Sequence, residues 1–289
     1  MGKLTSPKTI KDLMARYGFH FSKSLGQNFI IDESVLERIV KGAEIGAEDE
    51  ILEIGPGIGV MTEVLCENAK RVVAIEIDSS LMPILNETVG HFDNLSIINK
   101  DVLKVDLPAL IEETFEGRKP KLVANLPYYV TTPIIMTFLE QRIPISDLVV
   151  MIQKEVADRI LASPSSRDYG ALSVVVQYFT EPSIVTRVSK GSFMPAPKVD
   201  STVIRLKVRE TAPVALLDEI IFFNTIRDAF GKRRKTLQNA LSSGRLGLTK
   251  IEAGEALVEA GIPVNTRGEA LDIHAFANLA NAVAKLKGK

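Results

Sequence analysis

Short apolar runs alternate with helix-length amphipathic segments between about residue 50 and residue 152. The runs are rich in β-branched residues and are apolar throughout, which is typical of strands buried on both faces. They lie at 51–54, 72–75, 95–98, 122–124 and 148–152. The segments between them include predicted helices at 60–69, 79–90 and 132–142. Strands separated by helices predict an α/β fold whose mostly parallel sheet is covered on two sides.

The pattern is less regular after residue 152. The apolar run 171–179 fits a strand or a buried helix. Two further strands are predicted at 183–188 and 201–208, on either side of the proline-rich loop 194–197. A late hairpin of this kind would add an antiparallel strand to the sheet.

Only helical periodicity remains beyond residue 209. Glycine- or proline-containing turns separate the predicted helices, which lie at 216–230, 232–243, 249–260 and 270–286. We therefore predict two domains. Residues 1–209 would contain the sheet, and residues 210–289 would form a small all-helical domain.

Composition excludes several classes of protein. The 289 residues are 46% hydrophobic and 25% charged, which is too apolar for a disordered chain. No apolar stretch approaches the roughly 18 residues of a membrane span, and the N-terminal segment lacks the apolar core of a signal peptide. One cysteine and three scattered histidines exclude a disulfide framework and leave no His- or Cys-based metal motif. We expect a cytoplasmic protein without a metal.

Charge is balanced overall but unevenly distributed. The net charge of the chain is −1, yet residues 1–27 carry +4, residues 28–140 carry −11 and residues 205–245 carry +5. Basic segments around an acidic body favour a polyanionic partner such as nucleic acid, although most charge runs are only solvated faces.

A glycine-rich turn follows the first predicted strand. Gly55, Gly57 and Gly59 are spaced G-x-G-x-G, whereas dinucleotide-binding turns have the spacing G-x-G-x-x-G. Glycines here allow a tight turn and a close approach by a ligand. The alternatives are a tight turn without a ligand and an NAD site, which the spacing disfavours.

Acidic residues mark the ends of the next two strands. Glu76 can accept hydrogen bonds from both hydroxyls of a ribose, and Asp101 can accept one from the exocyclic amine of an adenine. Ligands of such sheets bind at the carboxyl ends of the strands, where these residues and the glycine turn all lie. With Glu53 just before the turn, the site favours a cationic ligand over a pyrophosphate. S-adenosylmethionine, which carries a sulfonium and an ammonium but no phosphate, fits this pattern.

The fourth strand leads into Asn125-Leu126-Pro127-Tyr128. The lone pair of an adenine N6 is delocalised into the ring, so methylation there requires the nitrogen to become more tetrahedral. The Asn125 side-chain carbonyl and a backbone carbonyl next to Pro127 can accept its two hydrogens. Tyr128 can stack on an extruded base. The turn therefore predicts methyl transfer to an exocyclic amine, and the alternative is a plain turn with core tyrosines.

Five motifs together carry a resemblance to a known family. They occur at 24–29 (SLGQNF), 53–57 (EIGPG), 125–128 (NLPY), 192–201 (SFMPAPKVDS) and 232–237 (KRRKTL). In this order they resemble the small-subunit ribosomal RNA adenine N6,N6-dimethyltransferases, from about residue 20 to residue 280. The resemblance implies a Rossmann-like class I methyltransferase sheet, mostly parallel with one antiparallel strand, followed by the small all-helical domain.

The resemblance also implies a role for each matching residue. Asn28 and the backbone of Ile30 would cover the methionine end of S-adenosylmethionine, with Gly55 beneath it. Glu76 would bind the ribose, Asp101 the adenine amine, and Asn125 would lie between cofactor and target base. The turn Asn125, Leu126, Pro127, Tyr128 together with Phe193 would form the catalytic site, where Tyr128 and Phe193 sandwich the adenine.

The implied substrate is a pair of adjacent adenosines in the hairpin loop near the 3′ end of 16S rRNA, each methylated twice during small-subunit biogenesis. Unpaired loop bases are those a protein can splay out and stack. The second domain and the basic N-terminal arm would contact RNA phosphates. The best candidates lie on a predicted basic helix at Lys232, Arg233, Arg234 and Lys235. We expect the protein to be a monomer.

Three alternatives share the fold. A large-subunit rRNA adenine N6-methyltransferase has a similar catalytic domain. A DNA adenine methyltransferase is disfavoured because Leu126 replaces the proline usual in that group. A ribosome-assembly or nucleic-acid-binding factor could keep the fold without catalysis, but the intact Asn125 and Tyr128 argue against it.

Overall fold

The computed structural model describes residues 2–22, 25–232 and 234–289. By its internal contacts the chain forms two compact units. The first contains Met1–Ala157 and Glu181–Val208, and the second contains Asp158–Thr180 and Arg209–Lys289. The expected division at residue 209 is therefore incomplete, because the segment before Glu181 groups with the C-terminal helices. A cause is visible at Tyr169, whose ring packs on Phe230 and whose hydroxyl donates to the carbonyl of Leu271 at 2.8 Å.

The first unit is built on a seven-stranded sheet. Its strands are β2 (Glu50–Ile54), β3 (Arg71–Glu76), β4 (Leu95–Asn99), β5 (Lys121–Asn125), β6 (Asp147–Gln153), β7 (Thr180–Val188) and β9 (Ser201–Val208). Their order is β4-β3-β2-β5-β6-β9-β7. The five neighbouring strands β4, β3, β2, β5 and β6 pair in parallel. β9 pairs antiparallel with β6, from Ser201 opposite Gln153 to Lys207 opposite Asp147. The predicted mostly parallel sheet with an antiparallel addition is confirmed.

The strand order creates a crevice between β2 and β5. The chain runs outward from β2 to β4 and then returns to place β5 on the other side of β2. Loops that leave β2 and β5 therefore diverge to opposite faces of the sheet, and a crevice forms at their carboxyl ends. All five residues of β2 are buried, because helices cover both faces there.

Helices cover the sheet on both sides and precede it. In chain order they are α1 (Pro7–Tyr17), α2 (Glu33–Gly42), α3 (Val60–Asn68), α4 (Met82–Thr88), α5 (Leu107–Phe115), α6 (Thr131–Glu140) and α7 (Lys154–Leu161), of which α7 crosses from the first unit into the second. The N-terminal segment adds β1 (Phe29–Ile30), which pairs antiparallel with β8 (Phe193–Met194). Two-residue strands leave no periodicity in the sequence, so this small second sheet was not predicted.

The second unit is helical. It contains α8 (Ala171–Phe179), α9 (Glu219–Gly231), α10 (Leu237–Leu241), α11 (Lys250–Glu259) and α12 (Ile273–Leu286). The ambiguous apolar run 171–179 is a helix that packs against α9. None of the described helices combines the length and hydrophobicity that a membrane span requires.

The predicted helix 232–243 is wrong in its first turn. Lys232, Arg234 and Lys235 lie in the turn between α9 and α10, and α10 begins only at Leu237. On a helix, Lys232 and Lys235 would be neighbours three positions apart and would repel each other, and the N–H of Leu237 donates to the carbonyl of Thr266. Arg233 lies outside the described residues.

Candidate active site

A cavity opens at the carboxyl ends of the central strands. Its wall is formed by the segments that follow β2, β3, β4 and β5, together with the N-terminal segment and β8. The wall includes all ten predicted cofactor-binding and catalytic residues, namely Asn28, Ile30, Gly55, Glu76, Asp101, Asn125, Leu126, Pro127, Tyr128 and Phe193. The sheet topology therefore brings together residues that are up to 165 positions apart in the chain.

The glycine turn forms the floor of the cavity. Gly55 and Gly57 have φ angles of +72° and +62°, which favour glycine. A Cβ atom on Gly55 would meet no atom within 4 Å, so the space above this residue is open. A Cβ atom on Gly57 would lie 2.9 Å from the ring of Phe29, so the N-terminal segment packs directly onto the turn. The turn thus offers backbone to a ligand on one side and is held by Phe29 on the other.

Glu76 ends β3 and presents its carboxylate to the cavity. It is 4% exposed, and its two oxygens accept hydrogen bonds from the N–H of Gly57 at 3.1 Å and of Asp78 at 2.8 Å. Burial raises the pKa of Glu76, although both backbone N–H groups favour the charged form. Each oxygen retains a further lone pair for a ligand hydroxyl.

Asp101 follows β4 and begins a short 3-10 turn. Its Oδ1 accepts the N–H of Leu103 at 3.1 Å, which fixes the carboxylate beside the cavity. The cavity wall here also contains two exposed apolar side chains that the sequence analysis did not single out. Ile77 is 50% exposed and Leu103 is 44% exposed. The sequence does contain a signal for these two side chains. Ile77 directly follows Glu76, and Leu103 lies two residues after Asp101.

Glu53 lies outside the cavity wall, contrary to its expected role in attracting a cationic ligand. Its side chain is fully buried, and burial raises its pKa to about 8. Within the described part of the chain, neither oxygen of Glu53 has a hydrogen-bond partner. Glu53 is therefore largely neutral near pH 7 and adds little negative charge to the site.

The N-terminal segment 25–30, hereafter the covering segment, forms one side of the cavity. The Asn28 side chain donates to the carbonyl of Gly26 at 2.9 Å, and the Asn28 carbonyl accepts a hydrogen bond from Asn125 Nδ2 at 3.0 Å. Ile30 pairs with Phe193 in the small sheet. The covering segment is therefore attached to both the turn after β5 and the loop that contains Phe193.

The turn after β5 holds its polar groups in a fixed arrangement. Asn125 Nδ2 is engaged by the covering segment, which leaves its Oδ1 available. The Pro127 carbonyl accepts hydrogen bonds from Val130 N–H and Thr131 Oγ1, both at 3.1 Å. Among the described residues, no group donates a hydrogen bond to the Leu126 carbonyl. With respect to the residues that the structure describes, two acceptors, one of Asn125 and one of Leu126, thus remain free at this end of the cavity.

Two aromatic side chains complete this end. Tyr128 is half-buried, and its hydroxyl lies 2.9 Å from Ser201 Oγ at the start of β9. Burial raises the pKa of Tyr128, so the phenol is neutral at physiological pH. Phe193 is only 4% exposed, since it packs in the hydrophobic core as well as lining the cavity. The contact of Tyr128 with Ser201 was missed, because the two residues are 73 positions apart.

The basic residues lie elsewhere. Lys232, Arg234 and Lys235 are exposed in the second unit, where Lys232 Nζ donates to Ser243 Oγ at 3.0 Å. In the N-terminal arm, Lys3 forms an ion pair with Glu33 at 2.8 Å, and Arg16 forms one with Glu87 at 2.7 Å. Part of the positive charge of the arm is thus paired within the chain. Over the described ranges, no group of three acidic, histidine or cysteine side chains is arranged to bind a metal ion.

Comparison with known sequences identifies extensive similarity. The ribosomal RNA adenine dimethylase family matches residues 18–285. The ribosomal RNA small subunit methyltransferase A of Alkaliphilus oremlandii is 53% identical over 285 residues, covering 99% of each chain. The protein of the same name from Clostridioides difficile is 50% identical over 284 residues, covering 98% of each chain.

Solved structures show the same fold. A dimethyladenosine transferase from Plasmodium falciparum superposes with a TM-score of 0.71 at 26% identity, covering 87% of this chain and 95% of its own. The 23S rRNA methyltransferase ErmE superposes with a TM-score of 0.68 at 25% identity, covering 89% of this chain and 99% of its own. The predicted class I methyltransferase sheet with a helical C-terminal region is confirmed.

Proposed function

Since the chain belongs to the ribosomal RNA adenine dimethylase family, we propose that its cavity binds S-adenosylmethionine and transfers methyl groups to N6 of adenosines in small-subunit rRNA. The observation that carries this proposal is that Glu76 and Asn125 line one cavity on either side of the open glycine turn. Glu76, which would bind the nucleoside, and Asn125, which would bind the target amine, thus lie around the open space above Gly55.

The residues around Gly55 fit the cofactor. The open space above Gly55 accommodates the methionine portion, and Glu76 has lone pairs left for the two ribose hydroxyls. The Asp101 carboxylate can accept a hydrogen bond from the adenine amine. The exposed side chains of Ile77 and Leu103 offer apolar surface to the adenine ring. Asn28 and Ile30, which line the same cavity, would cover the ligand from the covering segment. S-adenosylmethionine supplies a methyl group on a sulfonium, which is a good leaving group.

The residues around Asn125 orient the acceptor amine. The bond from Nδ2 to the Asn28 carbonyl holds the Asn125 amide so that its Oδ1 can accept one N6 hydrogen. The Leu126 carbonyl accepts the other, because the Pro127 carbonyl is already occupied by two donors. These two acceptors turn the N6 lone pair towards the methyl group. Methyl transfer would form the N6–C bond and break the S–CH3 bond of the sulfonium, leaving the neutral thioether S-adenosylhomocysteine, and the methylated amine would release a proton to solvent.

The aromatic residues hold the base. Tyr128 would offer its ring to an extruded adenine, and Phe193 lines the same cavity. Base–aromatic stacking of this kind contributes about 1–3 kcal/mol per base. Because the two rings come from different loops, the pocket is complete only when the covering segment and β8 are paired.

The small-subunit target is favoured over the alternatives. Relatives that carry a small-subunit name are about half identical over nearly the whole chain, whereas the 23S rRNA methyltransferase is 25% identical. We place the target adenosines in the hairpin loop near the 3′ end of 16S rRNA, two adjacent residues that each receive two methyl groups. A purely structural assembly factor would not need both free acceptors beside a stacking ring.

One experiment tests the proposal directly. The protein is incubated with labelled S-adenosylmethionine and either undermethylated small subunits or large-subunit rRNA, and the modified nucleotides are mapped. We expect dimethyladenosine at two adjacent positions of the small-subunit hairpin loop and none in large-subunit rRNA. Label only in large-subunit rRNA would favour the alternative enzyme, and no label in either RNA would contradict the proposal.

The basic turn is proposed to contact RNA phosphates. Lys232, Arg233, Arg234 and Lys235 are four consecutive cations, and those that the structure describes are exposed. Replacing the described three by glutamine should reduce the slope of log affinity against log salt by about 2–3, since each phosphate contact contributes roughly 0.7–0.9. An unchanged slope would remove this turn from the RNA-binding surface.

A further inference from the structure

Gln27 connects the two sides of the cavity. Its Nε2 donates to Asp78 Oδ2 at 2.6 Å, and its Oε1 accepts the backbone N–H of Ser22 at 2.7 Å. Gln27 belongs to the covering segment, whereas Asp78 lies in the turn after β3. Both ends of the amide are used, so neither a carboxylate nor an alkyl side chain can replace it without losing a contact.

Asp78 is in turn tied to the ligand-binding carboxylate. Its backbone N–H donates to Glu76 Oε1 at 2.8 Å. Its Oδ1 accepts hydrogen bonds from the N–H and the hydroxyl of Ser80, which hold the side chain in place. A continuous set of hydrogen bonds therefore runs from Ser22 through Gln27 and Asp78 to Glu76.

The covering segment has a second attachment at its other end. There, Asn125 Nδ2 donates to the Asn28 carbonyl, and Ile30 pairs with Phe193. Gln27 thus supplies the hydrogen bond that fastens the segment to the Glu76 side, while Asn28 fastens it to the Asn125 side. A ligand lying between Gly55 and the covering segment is enclosed only when both contacts are made.

We infer that Gln27 is a positioning residue that retains the bound cofactor by holding the covering segment against the turn after Glu76. This inference rests on the proposed function, since it names the contact that governs how tightly S-adenosylmethionine and its product are held. Gln27 acts through Asp78 and through the backbone of its own segment. Its loss should therefore affect the affinity for the cofactor more than the affinity for RNA.

Exchanging the amide of Gln27 and the carboxylate of Asp78 provides a sharp test. In Gln27→Glu the carboxylate would face that of Asp78, and repulsion should separate the two sides. In Asp78→Asn the amide nitrogen would face Gln27 Nε2, while its oxygen could still bind Ser80. In the double variant Gln27→Glu/Asp78→Asn, the amide introduced at position 78 can donate to one oxygen of the carboxylate introduced at position 27, while Ser22 donates to the other. Donor and acceptor are exchanged, but every hydrogen bond is restored.

Calorimetric titration with S-adenosylhomocysteine measures the effect. We expect Gln27→Glu to weaken binding by about tenfold, which corresponds to about 1.4 kcal/mol, and Asp78→Asn to weaken it less. The double variant should bind within about threefold of the original protein, consistent with recovery of most of one hydrogen bond. Gln141→Glu, the same change at an exposed position after α6, serves as the matched control and should bind normally.

The possible outcomes separate this inference from the proposed function. Normal binding by Gln27→Glu, or a double variant no better than Gln27→Glu, would overturn the role of Gln27 and leave the proposed function intact. Failure of the unmodified protein to bind S-adenosylhomocysteine would overturn both. RNA affinity is measured alongside, and a loss for RNA as large as that for the cofactor would also contradict the assigned role.

Discussion

The two ends of the cavity are constructed differently. At the donor end, formed by the turns after β2, β3 and β4, the carboxylates are fixed by backbone N–H groups nearby in sequence. Glu76 binds N–H groups 2 and 19 positions away, and Asp101 binds one 2 positions away. At the acceptor end, around Asn125 and Tyr128, the side chains are fixed by contacts 97 and 73 positions away.

This difference has a functional consequence. Local backbone contacts form as soon as the strands and turns do, so the carboxylates of the donor end are fixed mainly by their own turns, to which Gln27 and Phe29 of the covering segment add further contacts. The acceptor end depends on the covering segment and on β9, and so it is complete only when distant elements are in place. We therefore expect substitutions at the donor end to alter cofactor binding and those at the acceptor end to alter transfer.

The largest effect is expected at Asn125. Asn125→Ala removes the side-chain acceptor for the target amine, and the rate of methyl transfer at saturating substrates should fall by about 10²–10³-fold. The affinity for S-adenosylhomocysteine should change by less than about tenfold, because a single hydrogen bond to Asn28 is lost. Single-turnover assays and calorimetry measure the two quantities. Equal losses in transfer rate and in S-adenosylhomocysteine affinity would contradict the distinction between the donor end and the acceptor end. The same substitution at an exposed position, Asn68→Ala, is the control.

Glu76 should show the opposite behaviour. In Glu76→Gln the new amide group would face a backbone N–H of Gly57 or Asp78, and the affinity for S-adenosylhomocysteine should fall by about 100-fold, the loss expected for two charge-assisted hydrogen bonds. The transfer rate at saturating cofactor should change far less. The exposed Glu113→Gln is the matched control.

The pH dependence of binding provides a second test at Glu76. Burial raises the pKa of its carboxyl, and only the charged form accepts hydrogen bonds with both oxygens. Binding should therefore be full above this raised pKa and weaken as the pH falls through it, beginning at a higher pH than for an ordinary carboxyl. An unchanged acid limb in Glu76→Gln would assign the titration to another group.

The burial of Glu53 beneath the donor end can be tested through the pH dependence of the free energy of unfolding. Because burial raises its pKa to about 8, the folded protein holds a proton that the unfolded chain releases above its ordinary value of 4.5. Stability is thus lost as the pH rises between these values. Glu53→Gln, a neutral analogue, should increase the free energy of unfolding by about 3–4 kcal/mol more at pH 8 than at pH 5. Denaturant-induced unfolding at both values measures this, and an equal change at both would contradict it.

The smallest effect is expected where Tyr128 meets Ser201. Tyr128→Phe keeps the stacking ring but loses the hydroxyl, and Ser201→Ala removes its partner. Each should lower kcat/KM for RNA by about three- to fivefold, typical of one neutral hydrogen bond. The double variant should lose no more than either single variant, since the same contact is removed. Multiplicative losses would show that the two hydroxyls act independently.

The same contrast explains what the sequence could predict. The strands, the glycine turn and the acids Glu76 and Asp101 follow from local patterns, because apolar runs and strand-end residues imply their surroundings. The small sheet that joins Ile30 to Phe193 has no such pattern, and neither do the contacts of Gln27 and Ser201. They arise only when distant segments fold together.

Charge was a weaker guide than hydrophobicity. Glu53 was expected to face a cationic ligand, but its position on an inner strand buries it beneath the turn and makes it neutral. The basic run 232–235 was expected on a helix, but the described residues lie in a turn. The roles of the ten cavity residues remain predictions, although the structure places all ten in one wall.

A calorimetric titration of the unmodified protein with S-adenosylhomocysteine tests the central claim most directly. If the cavity between Gly55, Glu76 and the covering segment is a cofactor site, the titration will show saturable binding of one molecule per chain, and Glu76→Gln will abolish most of it. An absence of heat at concentrations that saturate other methyltransferases, or binding that Glu76→Gln leaves unchanged, would contradict the account.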